Sequence, residues 1–300
     1  MLWKRYFRPK SIAEALDALT ASRGRAALIA GGTDLMLDLQ QGRRAAVETL
    51  VDITAIPELQ RLEVREASLF VGAGVPLSRV AASREVQTHA QALAEAAGQM
   101  AGPQVRHVAT LGGNVAHALP AADGAMALLA LDARAEIASP AGRRESPLPA
   151  LYRGPGQSAL APDELLVGFH LPLRQPGQAS AFRRVMRPQG VALPILNAAV
   201  WLARAGAHIA SARIVVAPFG PVPRRALAAE NALCGQPLTP QAVDRALEAL
   251  LAEARFRTSR YRATAEYRRH LAGILLREAL HTAWERAAAQ TGGPRSEKEE

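Results

Sequence analysis

The chain has 300 residues, of which 49% are hydrophobic, 21% charged and 4% aromatic, with a formal net charge of +9. This is enough apolar chain for two or three domains, and the composition excludes a disordered or fibrous protein. The single cysteine, Cys234, excludes an internal disulfide and any zinc or iron–sulfur site built from several thiolates of this chain.

In chain order, Ile12, Ala15, Leu16 and Leu19 recur at helical spacing, with Ser11 as N-cap and Glu14 completing a capping box. "AALIA" reads as a buried strand, "GGTD" as a turn, "LMLDLQQG" as a short helix ending at Gly42, and "TLVDIT" as a second strand, together a βαβ-like unit that closes near Pro57. Alternating strands and glycine turns follow. Residues 83–100 are helical in pattern, and "AGPQVRHVATLGGNVAHALPAAD" then breaks it with two loop-forming segments. "GAMALLALDARAEIAS" is a helix and a strand, and "DELLVGFHLP" a strand ending at Pro172. "LRQPGQAS", residues 173–180, is the linker candidate. Beyond it two strands meet at a turn near Gly206, with a third element ending at Pro218. Residues 241–254 and 263–288 have helical periodicity, and "TGGPRSEKEE" reads as a disordered tail.

The longest apolar stretch, residues 190–203, contains Pro194 and Asn197 and is shorter than the roughly 20 residues of a spanning helix. No membrane span is expected. The N-terminal "MLWKRYFRPKS" is not followed by a signal-like apolar segment, so a cytoplasmic chain is expected. Seven histidines show no paired-ligand spacing, and no metal site is expected. The basic residues Arg183, Arg184, Arg187, Arg255, Arg257, Arg260, Arg262, Arg268 and Arg269 form no long run with interleaved aromatics. Solvated faces and a subunit interface fit them better than a nucleic-acid groove.

Gly31 and Gly32 stand between a strand and a helix, where bare backbone N–H groups suit an anion; the alternative is a tight turn in which Thr33 or Asp34 caps the helix. The pattern is neither a Rossmann G-x-G-x-x-G nor a P-loop. A second segment combines Thr110, Gly112, Gly113 and Asn114 in the same way, and two such loops can clamp one extended ligand. Asp123 is a candidate acceptor for a sugar or polyol hydroxyl, or simply the N-cap of the next helix.

Taken together, "AGGTDLM", "VGAGVPLSRV", "AGPQVRHVATLGGNVAHALPAAD", "LALDARAEI", "DELLVGFHLP" and "AEYRRHLAGILLREAL" resemble, in order and over nearly the whole chain, the FAD-binding subunit of the molybdenum hydroxylases. That family includes the medium subunit of carbon monoxide dehydrogenase, the flavin domain of xanthine dehydrogenase and the β subunit of 4-hydroxybenzoyl-CoA reductase. The resemblance implies an α+β fold: a two-subdomain FAD-binding module of vanillyl-alcohol-oxidase (PCMH) type, then a C-terminal antiparallel sheet plus helix domain. The expected boundaries are 1–57, 58–175 and 176–290, with the tail at 291–300.

By the same resemblance the FAD pyrophosphate lies on Ala30, Gly31, Gly32, Thr33 and Asp34, with Leu28 and Ile29 leading in, while Thr110, Gly113, Asn114 and His117 form the second clamp. Asp123 takes a cofactor hydroxyl, Leu165 or Leu166 packs near the adenine or flavin, and Met100 and Ala101 line the cleft. His117 is expected to hydrogen-bond or pack, since the family holds FAD non-covalently. Arg106 is either a cofactor or interface contact or an ordinary exposed arginine. Where NAD-using xanthine dehydrogenases bring a lysine to the flavin this chain has Leu193, which speaks against NAD and leaves quinone or oxygen as acceptors. The cysteine-rich insertion of the reductase β subunit is missing, so no four-iron cluster is expected.

The implied function is electron transfer within a multisubunit hydroxylase, in a dimer of heterotrimers. The molybdenum cofactor sits in a large partner subunit and the 2Fe-2S clusters in a small one, so substrate choice lies in another chain. No catalytic acid, base or triad is assigned to this one. The rival readings are a free-standing flavin-dependent oxidase or reductase and a basic nucleic-acid-binding protein.

Overall fold

The computed structural model describes residues 1–187 and 193–289. Strand β1 (Trp3–Phe7) leads to α1 (Ile12–Ala21), which opens as the sequence predicts: Ser11 Oγ accepts the Glu14 N–H at 3.2 Å. The Glu14 carboxylate reaches back to the N–H of Lys10 at 2.8 Å, one residue beyond the expected box partner. β2 (Ala26–Ile29), α2 (Leu35–Gln40) and β3 (Val47–Asp52) follow. All three strands are parallel in the order β1-β3-β2, so β2–α2–β3 is the anticipated βαβ unit.

Next come β4 (Leu62–Arg65), β5 (Ser68–Gly72), α3 (Leu77–Ala82), α4 (Arg84–His89), α5 (Gln91–Gln99), α6 (Pro103–Val108), α7 (Leu111–Ala116) and α8 (Asp123–Ala130). β6 (Arg134–Ser139), β7 (Gly142–Pro147), the small ribbon β8 (Tyr152–Gly154) and β9 (Gln157–Ser158), and β10 (Leu165–Pro172) complete the region. The antiparallel sheet β4-β5-β10-β6-β7 is covered on both faces. Phe70, Leu165 and Val167 pack against Ile12, Ala15 and Val51 of the first unit. Leu69, Val71, Leu166 and Phe169 join Leu93, Leu111 and Met126 of the helical layer. Successive residues of β10 alternate between the two cores, with a register shift between Leu166 and Gly168.

The last unit is the antiparallel sheet β11 (Gln178–Met186), β12 (Pro194–Ala205) and β13 (His208–Ala217), with α9 (Leu227–Leu233), α10 (Pro240–Glu253) and α11 (Ala265–Ala288). One face packs on these helices through Val200, Ile214, Leu250 and Leu276, while Phe182, Ala199 and Val215 face the helical layer of the preceding unit.

Four local expectations are corrected. The segment 101–123 holds two short helices, α6 and α7, because Pro103 at the first helical position and the Thr110 cap start them despite the flanking glycines. Residues 83–100 divide into α4 and α5 at Ala90, whose backbone is non-helical. The proposed linker already contains the start of β11 from Gln178, since Ser180 is buried and its Oγ accepts the Ala92 N–H at 3.1 Å. Residues 208–217 form one strand, and the third strand of that sheet is β11. The tail and Gln290 lie outside the described residues.

Candidate functional site

β2 delivers Leu28, Ile29 and Ala30, all half-buried, to the first glycine turn, with Leu28 and Ala30 packed on the core that contains Val51 and Leu165. Gly32 has φ +67°, the left-handed region that favours glycine, and a Cβ there would stand 2.9 Å from Ile29 Cδ1. The Gly32 carbonyl accepts the Met36 N–H at 3.0 Å and starts α2. Asp34 occupies the N-cap position of this helix, but no side-chain hydrogen bond caps it. The backbone N–H groups of Gly31, Gly32, Thr33 and Asp34 donate to no partner among the described residues. Four consecutive unpaired donors at a partly exposed turn form a cradle for an anion.

The second segment is built differently. Thr110 is buried and caps α7, its Oγ1 accepting the Gly113 N–H at 3.1 Å. Leu111 donates to Val75 O at 3.2 Å, Gly112 to Ala73 O at 2.8 Å and Asn114 to Thr110 O at 3.0 Å, so these amides are already used. Gly112 is required by packing, since a Cβ would come within 2.6 Å of Ala73. Gly113 is exposed, and a Cβ there would meet only Thr110 Oγ1, at 3.1 Å. This segment supplies a side-chain-free surface rather than donors.

Gly31 brings the two segments together. A Cβ on Gly31 would lie 2.5 Å from the Val108 carbonyl carbon and 2.9 Å from Ala109 Cα, and would also overlap the Val108 oxygen. Only glycine permits this backbone-on-backbone approach. His117 Nε2 stands 3.7 Å from Asp34 Oδ1 across the same junction. Asn114 Oδ1 accepts the Ala125 N–H at 3.2 Å and its Nδ2 faces Met100 Sδ at 3.5 Å, fixing α7 to α8 and to the end of α5.

Met100 is buried and Ala101 takes φ +45°, a conformation strained for a residue with a Cβ. Arg106 holds this turn: its Nη1 donates to Met100 O at 2.8 Å and to Ala101 O at 2.6 Å. It is thus neither idle nor simply exposed. Asp123 lies in the first turn of α8 but is not the N-cap, which is Ala122. Its Oδ2 accepts from Arg184 at 2.6 Å and its Oδ1 from Asn197 at 2.6 Å, so a buried carboxylate ties α8 to β11 and β12. Burial pushes its pKa up to about 6 against the pull of Arg184 and Asn197.

Leu165 is fully buried in the core behind Leu28, whereas Leu166 joins the core that contains Met100, so the two face opposite sides of β10. Leu193 is exposed at the entry to β12. The site thus gathers residues 28–34 with Thr110, Gly113, Asn114 and His117. Asp123 sits at the junction with the C-terminal sheet. Arg106, Arg184 and Asn197 are the contributors that glycine patterns did not reveal; Asn197, a lone amide inside the apolar run "LPILNAAV", was the available signal for the last.

No helix among the described residues is long and apolar enough to cross a membrane. Residues 3–174 match the family of FAD binding domains in molybdopterin dehydrogenase, and residues 180–283 the CO dehydrogenase flavoprotein C-terminal domain. The xanthine dehydrogenase FAD-binding subunit of Escherichia coli O157:H7 is 32% identical over 292 residues, covering 96% of this chain and 97% of that one. The carbon monoxide dehydrogenase medium chain of Hydrogenophaga pseudoflava is 31% identical, covering 94% of this chain and 98% of that one. A solved carbon monoxide dehydrogenase from Hydrogenophaga pseudoflava, lacking the Mo-pyranopterin moiety of its cofactor, superposes with a TM-score of 0.89 at 31% identity, covering 94% and 97% of the two chains. With both halves of the chain matched, the protein belongs to the FAD-binding medium subunits of the xanthine dehydrogenase and carbon monoxide dehydrogenase family.

Proposed function

We propose that this chain holds FAD non-covalently as the electron-transfer subunit of a multisubunit molybdenum hydroxylase. Electrons arrive from 2Fe-2S clusters of a small subunit, after substrate oxidation at the molybdenum cofactor of a large subunit, and leave to an external acceptor. The observation that carries the cofactor assignment is the set of four unpaired amides at residues 31–34, held against the second segment by the Gly31 contact. When bound, FAD supplies conversion between one-electron and two-electron transfer.

The chain's own part is binding and orientation. The amides of residues 31–34 donate to the diphosphate, and Ala30 with Leu28 and Ile29 fixes their strand of origin. Gly113 leaves room for close approach, and Thr110 and Asn114 hold the α7 turn in place. His117 stands beside the Asp34 carboxylate at the edge of the cradle and makes no covalent bond. Met100 and Ala101 form one wall through the turn clamped by Arg106. Asp123 holds the C-terminal sheet in position and offers its carboxylate to a cofactor hydroxyl. No side chain here is assigned a proton-transfer step.

The same reading divides the chain at 57/58 and 175/176, places the assembly in the cytoplasm as a dimer of heterotrimers, and disfavours NAD as acceptor because Leu193 stands at the C-terminal approach. Native purification through a tag on this chain, followed by flavin and metal analysis, tests it. The expected result is about one FAD per chain with a molybdenum-containing large chain and an iron–sulfur small chain; a flavin-free chain without molybdenum or iron companions would overturn it.

A further inference from the structure

The C-terminal unit reaches the walls of the flavin cleft through a buried ion pair. The Arg184 side chain, on β11, is only 2% exposed, and the Asp123 side chain that it meets is 5% exposed. From Nη1 the guanidinium donates to Asp123 Oδ2 at 2.6 Å and to Gln99 O at 3.0 Å. Gln99 is the last residue of α5, so Arg184 and Arg106, from different units, together hold the consecutive carbonyls of Gln99, Met100 and Ala101. One buried cation thereby joins the strained Met100–Ala101 turn to the first turn of α8.

Asn197 holds the other carboxylate oxygen. It stands directly opposite Arg184 in the β11–β12 pairing and is fully buried. Its Nδ2 donates to Asp123 Oδ1 at 2.6 Å and to Ala121 O at 3.3 Å. Both partners are acceptors, which fixes the orientation of the amide and leaves Asn197 Oδ1 buried without a partner among the described residues. An orphaned oxygen in an apolar run works against folding, so this amide is explained by what its nitrogen holds and not by packing. Burial drives the Asp123 pKa up to about 6, and Arg184 and then Asn197 oppose it. The other charged groups on elements around α8 are engaged elsewhere. Glu95 of α5 accepts from Arg286, His117 faces Asp34, Arg213 of β13 pairs with Asp132 at the far end of α8 at 3.3 Å, and Arg204 of β12 lies over Trp284.

We propose that Arg184 and Asn197 are positioning residues of the flavin site: they hold the Asp123 carboxylate ionised and oriented for the cofactor, so that FAD affinity depends on the docking of the C-terminal sheet. The proposal rests on the reading of Asp123 as the acceptor of a cofactor hydroxyl, and it requires neither positioning residue to touch FAD. A carboxylate offers about four lone-pair directions. Arg184 and Asn197 use one on each oxygen, and the others remain for a hydroxyl donor. A protonated carboxyl would place a competing donor there. Without the Arg184 charge, burial would leave the carboxyl neutral at about pH 7.

The test is equilibrium FAD titration of the deflavinated full chain across a series of pH values, followed by fluorescence. The ionised carboxylate is the binding form, so wild-type affinity is expected to be full above about pH 6 and to fall below it. Arg184→Gln removes the charge and is expected to move that fall upward by about 1–3 in pH. Arg184→Lys is expected to bring it back toward the wild-type position. Asn197→Leu keeps the ion pair and removes the orphaned oxygen, so it keeps the test open if Arg184→Gln does not fold, and its fall is expected to move upward by less. Binding weakened equally at every pH, or left unchanged, with the fall unmoved in a folded Arg184→Gln or Asn197→Leu chain would overturn the proposal. Asp123→Asn separates the two levels. If the fall disappears there but stays unmoved in the other variants, only the role of Arg184 and Asn197 is overturned; if Asp123→Asn keeps the fall, the Asp123 reading is overturned and the proposal with it.

Discussion

Gly31→Ala is the most incisive single perturbation of the site. The added methyl would stand 2.5 Å from the Val108 carbonyl carbon, about 0.9 Å short of the 3.4 Å at which ordinary contact begins, and its neighbours are backbone atoms that cannot rotate away. The two segments must therefore separate by roughly that amount, at an overpacking cost of about 1–3 kcal/mol. Because the cradle amides and the Gly113 surface must face one ligand together, the shift is expected to weaken FAD by at least about tenfold, equivalent to 1.4 kcal/mol. The assay is equilibrium FAD titration of the deflavinated chain, followed by fluorescence, alongside thermal unfolding. Gly220→Ala is the control, since a Cβ there meets nothing within 4 Å. Unchanged FAD affinity and stability in Gly31→Ala would refute the reasoning that the loop-on-loop contact builds the site.

Gly113→Ala should leave stability within about 0.5 kcal/mol of wild type, because its Cβ meets only Thr110 Oγ1, yet weaken FAD binding measured in the same titration. Arg106→Ala removes two charge-assisted bonds from the strained Met100–Ala101 turn and should lower stability by about 2 kcal/mol in urea unfolding, together with FAD affinity. The raised pKa of Asp123, about 6 in the folded chain against an ordinary aspartate value of 3.8, means that the folded state binds the extra proton. Its contribution to stability is therefore full below about pH 3.8 and is lost as pH rises to about 6. Asp123→Asn should flatten the difference in unfolding free energy between those two pH values, and an unchanged slope would contradict the buried-carboxylate account.

Much of the architecture was legible because local chemistry and burial agree. Ser11 and Glu14 announce α1, the apolar runs of β3 and β10 are largely buried as they read, whereas β2 is only half-buried apart from Ala27, and Gly31 and Gly32 mark the turn between strand and helix. The sequence misled where a tertiary partner decides the outcome. The glycines of α7 suggested a loop, but Gly112 is small so that the helix can lie against Ala73, and Thr110 supplies the cap that starts it. β11 was half hidden behind Pro176 and Gly177, because its pairing with β12 is long-range. In the site, the pair of glycine segments was visible as a pattern, but not the difference between them: one keeps its amides free and the other spends them on Ala73 and Val75. The ion pair of Asp123 with Arg184 joins residues 61 apart in sequence, and nothing local to either residue announces it.

That difference between the two segments gives the most direct test. Amide hydrogen exchange of the chain with and without FAD resolves residues 31–34 from residues 111–114. The account predicts that FAD slows exchange strongly at Gly31, Gly32, Thr33 and Asp34, whose N–H groups have no partner within the described chain, and changes it little at Leu111, Gly112 and Asn114, which are already bonded. Exchange unaltered at residues 31–34 in a chain that has bound FAD would contradict it.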